Sequence, residues 1–286
     1  MSDPFRITEP TCISFSGGRT SALMLWRVLQ ANDGLPADAV VCFANTGKEE
    51  EATLRFVRDC SERWNVPITW LEYRDDGYAI VDFDTASRNG EPFEALIRKR
   101  NYLPNPVTRF CTSELKIRTM HRYLRANWES FGWDASDMEW NQMIGIRADE
   151  QRRLSKIRAR GHSTETTKEP MLLPLADAGV TLADVQLFWA AQPFGLELPT
   201  VNGRTLAGNC DLCFLKPANQ VRSLIAQKPE RAIWWAKMEA LALASKPSGA
   251  VFRSDRPSYA AMLKNVGDQT DAFGHDEEAI ACFCGE

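Results

Sequence analysis

A chain of 286 residues, 44% hydrophobic and 25% charged, has the composition of a folded globular protein. Its length suits one large α/β domain, or such a domain with a small appendage. The net charge of −4 argues against a general basic surface for nucleic acid, and no apolar run approaches the ~20 residues that span a bilayer. The opening MSDPFRITEP has no basic segment followed by an apolar one, so a cytoplasmic, non-membrane protein is expected.

In chain order, a short β-capable run (Cys12, Ile13, Phe15) leads into Ser16-Gly17-Gly18-Arg19-Thr20-Ser21 and then a helical run from Ala22 to Trp26. Strand, glycine turn and helix make an anion site, because first-turn N–H groups lack internal partners and the helix dipole is positive there. The two glycines allow close backbone approach and positive φ. The loop is neither G-x-x-x-x-G-K-[ST] nor G-x-G-x-x-G. Asp33–Ala37 reads as a loop, and Ala39–Ala44 as a buried strand ending at Asn45-Thr46-Gly47. A helix from Glu49 to Trp64 with acids in its first turn follows, then a third strand, Pro67–Tyr73. Alternating strands and helices with short connections predict a doubly wound, mainly parallel sheet. Ligands of such sheets lie at the carboxyl ends of strands, where both Ser16–Ser21 and Asn45–Gly47 fall.

Arg74–Asn105 carries many turn signals and reads as an insertion with a short helix at Glu94–Arg100. Ser113–Trp128 reads as a helix and Asp137–Ile146 as a strand ending at Gly145-Ile146-Arg147. Gln151–Glu169 is polar and basic and reads as a loop; Met171–Leu175 reads as extended. Thr181 with Asp184 three residues on has the form of a capping box for the next helix. Gly208–Cys213 is a turn, and helices are expected at Asn219–Gln227, Pro229–Ala244 and Ser258–Leu263. This divides the chain into a nucleotide-binding α/β domain, 1–205, and a helical, cysteine-bearing extension, 206–286.

Eight cysteines need an account. Cys12 and Cys42 sit in strand-like runs and Cys60 in a helical one, as buried small hydrophobes do. Cys111, the pair Cys210 and Cys213, and the terminal Cys282 and Cys284 have spacings that suit a metal or a redox pair. One tail cysteine would complete four thiolates, the count for zinc or one [4Fe–4S] cluster, and spacing does not choose between them.

Several of these stretches, in order, resemble one family. SFSGGRTS is similar to the PP-loop, the pyrophosphate-binding loop of ATP pyrophosphatases and of phosphoadenylyl sulfate (PAPS) and adenylyl sulfate (APS) reductases. FANTGKEEEATLRFV, RFCTSELKIR, GIRADEQRR, PLADAGVTLADVQLFW and GNCDLC resemble further segments of those reductases. The resemblance spans Ile13–Cys213. It implies an adenine nucleotide α-hydrolase-like fold, with ATP, APS or PAPS held by Ser16, Gly17, Gly18, Arg19, Thr20, Ser21, Asn45, Thr46, Gly47, Gly145 and Arg147. It favours iron at Cys111, Cys210, Cys213 and one of Cys282 and Cys284. The chain departs from the family at Phe110, where the iron–sulfur branch has the first of two adjacent cysteines. It departs again at its end, Cys284-Gly285-Glu286, where thiol-dependent reductases carry a nucleophilic cysteine; Cys284 is the candidate nucleophile here. Arg109, Lys116, Arg147, Arg152 and Arg153 are candidate oxyanion clamps. Arg158 and Arg160 read as a solvated face, Trp189, Trp234 and Trp235 as core, and the three histidines take no role.

Three functions follow as expectations. One is sulfonucleotide reduction to sulfite with a thiol electron donor. Another is ATP-dependent sulfur transfer to nucleic acid. The third is a nucleotide-binding module with a structural metal. An oligomer is compatible with all three.

Overall fold

A computed structural model of the chain describes residues 3–133, 139–201, 204–245, 248 and 250–265. Strand β1 (Thr11–Ser14) is followed by α1 (Arg19–Ala31), β2 (Ala39–Asn45), α2 (Glu51–Arg63) and β3 (Ile68–Arg74). Then come β4 (Gly77–Val81), α3 (Glu91–Arg100), α4 (Phe110–Thr112), a π-helical segment (Ser113–Arg118) and α5 (Thr119–Asn127). Next are β5 (Asn141–Ile144), α6 (Gln151–Arg160), β6 (Met171–Leu172), α7 (Pro174–Asp177) and α8 (Leu182–Ala190). A two-stranded ribbon, β7 (Thr200–Val201) with β8 (Arg204–Thr205), precedes α9 (Ala218–Gln227), α10 (Arg231–Ser245) and α11 (Tyr259–Lys264). Among the described residues no helix is long and apolar enough to cross a membrane.

The main sheet runs β4-β3-β2-β1-β5-β6, parallel throughout except at the β3–β4 edge. It is an α/β fold with helices on both faces, the arrangement of a doubly wound sheet. The pleat explains the two faces, since alternate side chains leave a strand in opposite directions. On β1 and β2, Ile13, Val41 and Phe43 join a large core with α1 and α2, whereas Cys12, Cys42 and Ala44 join Met120, Tyr123 and Leu124 of α5. Ser14 sits opposite both Cys42 of β2 and Ile144 of β5. The chain leaves β1 toward β2 on one side and returns to β5 on the other, so the crevice between their carboxyl ends is the switch point of the sheet.

Three expectations need correction. Gln151–Glu169 is not all loop, because α6 occupies Gln151–Arg160. Its only buried residues, Leu154 and Ile157, are one turn apart, and Gly161 at φ +76° closes it. Within Arg74–Asn105, Gly77–Val81 forms an antiparallel edge strand, mostly half-exposed and so without apolar alternation. Met171–Leu175 is extended only to Leu172; Pro174 then opens the short helix α7, a position where its missing N–H costs nothing. Residues 137 and 138 of the strand expected at Asp137–Ile146, and the tail with Cys282 and Cys284, lie outside the described residues.

Helices α9–α11 continue the same core, with Phe93 of α3 edge-on to Trp235 of α10. Glu239 is buried there, accepting the Tyr259 N–H at 2.8 Å. Burial pushes its carboxyl up to about 7, against the pull of the Tyr259 and Phe252 N–H groups and Arg256. A raised carboxyl pKa favours the folded state in its neutral form. That contribution is lost as pH climbs from the ordinary carboxylate range through about 7. Urea midpoints at pH 5 and pH 8 are therefore expected to differ more in the native chain than in Glu239→Gln. An equal difference in both would remove Glu239 as the source.

Candidate functional site

The loop after β1 is braced from within. Ser21 Oγ accepts the Ser16 N–H at 3.1 Å, donates to the Gly18 carbonyl at 3.0 Å, and lies 2.9 Å from Ser16 Oγ. Gly17 has φ +76°, and a Cβ there would stand 2.7 Å from Thr53 Cγ2 of α2, so only glycine fits both the turn and the space. Gly18 is the extended N-cap of α1, whose first turn carries no acid. The positive end of a 13-residue helix thus meets the crevice with no acid of its own first turn to neutralise it.

Across the switch point, Gly145 follows β5. A Cβ on it would come within 3.1 Å of Ser21 Cα, so a bare backbone lets the first turn of α1 press against the β5 end. Arg147 comes next. Its Nη1 donates to Thr20 Oγ1 at 3.3 Å and its Nε to Asp149 at 2.9 Å, with Glu150 at 3.6 Å. A cavity of about 440 Å³ lies over this assembly. Ser16, Gly17, Gly18, Arg19, Thr20 and Arg147 line it, and Val185 and Trp189 of α8 form its apolar wall. The Thr181–Asp184 capping box holds the start of α8, with the threonine N–H donating to Asp184 at 2.7 Å.

Not every expected residue faces this space. Arg19 lines the cavity, but its guanidinium donates to Thr200 Oγ1 and the Leu196 carbonyl, both at 2.7 Å, and so straps segment 196–200 across the helix start. Trp189 is core, as expected, and also donates to the Arg19 carbonyl at 2.9 Å. Asn45, Thr46 and Gly47 are buried outside the cavity lining. Asn45 donates to Glu72 at 2.7 Å and to the Ser87 carbonyl at 2.9 Å. Thr46 donates to Glu49 at 2.9 Å, and Gly47 accepts the Gly90 N–H at 2.8 Å. That turn docks the C-terminal helices: Glu49 and Cys210 form an antiparallel bridge, and Lys48 pairs with Asp211 at 3.0 Å.

Cys12, Cys42 and Cys60 are fully buried, and the six described cysteines form no disulfide. Cys210 sits 3.4 Å from Thr46 Oγ1. Burial, then the nearby Glu49 and Cys213, push its thiol well up, against the pull of Lys116 and Thr46. It is therefore a thiol, not a standing thiolate nucleophile. Cys213 follows in the same turn and Cys111 is half-buried at the start of the α4–π–α5 helix. No three His, Cys, Asp or Glu among the described residues are grouped to hold a metal ion, so Cys111, Cys210 and Cys213 do not by themselves make a three-thiolate corner. Cys282 and Cys284 lie outside the described residues. Of the other expected clamps, Lys116 is 3.8 Å from Glu49, Arg153 pairs with Glu150, Arg152 is exposed, and Arg109 is the half-buried residue before α4. Arg158 pairs with Asp177 at 2.6 Å as an exposed residue, whereas Arg160 turns inward and lines a second, smaller cavity. Sequence reasoning missed that cavity and the part of His121 in it. It also missed the α8 wall, because a capping box locates a helix start but not what the helix packs over.

No family model matches the chain. It is 30% identical over 222 residues to the uncharacterized nin region protein ORF290 of Escherichia phage lambda, which covers 73% of this chain and 67% of that protein. The chain belongs to the family of that phage protein. Because ORF290 is itself uncharacterized, the kinship establishes relatedness and carries no chemistry to the cavity.

Proposed function

We propose that the Ser16–Ser21 crevice holds the phosphate end of an adenine nucleotide, and that the chain is an enzyme of the PAPS/APS reductase type within the PP-loop superfamily. One observation carries this reading: the uncapped positive end of α1, two glycines and Arg147 converge at the switch point of the sheet, under a cavity of about 440 Å³. Donors of this kind suit pyrophosphate, phosphate and sulfate groups.

In the proposed reaction a cysteine thiolate attacks the sulfur of the sulfonucleotide. An S–S bond forms, the S–O bond breaks, and its electron pair leaves on the phosphate oxygen of the nucleotide. A second thiol, from the electron donor, then releases sulfite and is left in a disulfide. The residues of the crevice bind and orient the nucleotide, and Cys284 is the candidate nucleophile that the family resemblance implies. A [4Fe–4S] cluster or zinc would be held by Cys111, Cys210, Cys213 and one of Cys282 and Cys284, and the reaction above does not pass through it.

Calorimetry with ATP, APS and PAPS, followed by a sulfite assay with a dithiol donor, tests the reading. Binding of none of the three would overturn it. Arg147→Ala is expected to weaken nucleotide binding about 10–100-fold, the loss of charge-assisted hydrogen bonds to an oxyanion. Unchanged affinity would place the phosphates elsewhere. A second reading, ATP-dependent sulfur transfer to nucleic acid, draws support from exposed Arg152 and Lys156 on α6, directly after Arg147. Pyrophosphate release from ATP only when nucleic acid is present would favour it.

A further inference from the structure

The second cavity, about 70 Å³, lies at the strand ends on the α5 side and shares Ser16 with the first. Its volume is roughly the share of two or three water molecules, so it admits the edge of a ring and not a whole nucleotide. Met120 and Ile117 line it from the helix side and Ile144 and Met171 from the strand side, leaving an apolar slot. At its edge stand His121 and Glu169. Glu169 is only 2% exposed, and its Oε1 has no hydrogen-bond donor among the described residues. His121 Nε2 lies 3.3 Å away without the alignment of a hydrogen bond.

A buried carboxyl oxygen without a donor is costly, and such atoms are normally satisfied by a ligand or an ordered water. The charged groups around it do not supply the donor. Lys116 is drawn toward Glu49, Arg160 donates to the His162 carbonyl, and Arg118 holds Glu165 at 2.7 Å. Burial lowers the proton affinity of the His121 ring, with Arg125 and Arg122 of its own helix acting the same way and Glu165 against them. Burial raises the pKa of the Glu169 carboxyl, with Glu165 acting the same way and Ser163 and Arg125 against it.

We infer that the second cavity takes the edge of a purine base, with Glu169 Oε1 accepting from the exocyclic amine of adenine and His121 backing it. This rests on the nucleotide reading above and adds the residue that chooses the base. Guanine and hypoxanthine carry a carbonyl oxygen where adenine has its amine, and two acceptors facing each other repel. A site built to pair with a polar group discriminates strongly against an analogue that leaves it unpaired.

The test compares ATP, GTP and inorganic pyrophosphate by calorimetry on the native chain and on Glu169→Gln. The native chain is expected to favour ATP over GTP by about tenfold or more. In Glu169→Gln the side-chain amide can donate to the guanine carbonyl, and the preference is expected to shrink to about threefold or less. Pyrophosphate affinity should be the same in both, which also reports that the variant is folded. An ATP preference that survives in Glu169→Gln, or no preference in the native chain, overturns the base-reading role while leaving the phosphate site standing. If the native chain binds neither pyrophosphate nor ATP, the nucleotide reading itself fails.

Discussion

Asp211→Ala is expected to destabilise the fold by about 3–5 kcal/mol, the cost of leaving one member of a buried ion pair without its partner. The Lys48 and Asp211 side chains are 9% and 10% exposed and pair at 3.0 Å. Asp211 also accepts the Trp235 Nε1–H at 2.8 Å, so its loss strips a partner from the core of α10 as well. Lys48 would remain over the Trp234 ring, 5.2 Å from its centre, with its ion-pair partner gone. Urea denaturation reads the loss. The double variant Lys48→Met with Asp211→Leu is expected to be more stable than Asp211→Ala, because removing both charges relieves the desolvation that stranding one of them creates. If the double variant is the less stable of the two, the pair is not what joins the turn after β2 to the C-terminal helices.

The second large effect is Gly17→Ala, at about 2–5 kcal/mol from left-handed strain together with overpacking. Its φ of +76° disfavours any L side chain, and the new methyl would meet Thr53 Cγ2 at 2.7 Å and Phe43 and Val57 at 3.2 Å. Thr53→Ala in the same chain removes the nearest atom and is expected to recover the packing part but not the strain. Thermal denaturation of the single and double variants separates the two. No recovery at all would mean that the backbone conformation alone sets the cost. Nucleotide binding is expected to fall with Gly17→Ala in either background, since the loop that presents α1 must shift.

How much of this was legible in the sequence depends on how local the signal was. The β1–loop–α1 unit, β2 and β3 could be read because apolar runs, glycines and helix starts lie within a few residues of one another. The α6 helix was not, since two buried residues on a charged decapeptide give almost no periodicity. The β4 edge strand was hidden for a related reason: half-exposed residues need not alternate. Asn45, Thr46 and Gly47 were located at a strand end, where ligands are expected. What covers them, the Asp211 turn, arrives from more than 160 residues away, and no local pattern reports a long-range dock. Separation along the chain also hid the second cavity. His121 and Glu169 are 48 positions apart and meet only because α5 and the chain before β6 cross at the same end of the sheet.

The helix that runs from Phe110 to Asn127 is α-helical at both ends and π-helical between Ser113 and Arg118. Such a segment amounts to one extra residue wound into the rod. It works as a phase shifter: the half with Cys111 and the half with His121 are turned relative to each other by about 100°, the angle of one residue in an α-helix. Thr112 before the shift and Met120 and His121 after it nevertheless line the same second cavity. Deleting a single residue there would restore an unbroken α-helix and swing Cys111 around the axis, without touching a residue that faces either cavity from the sheet.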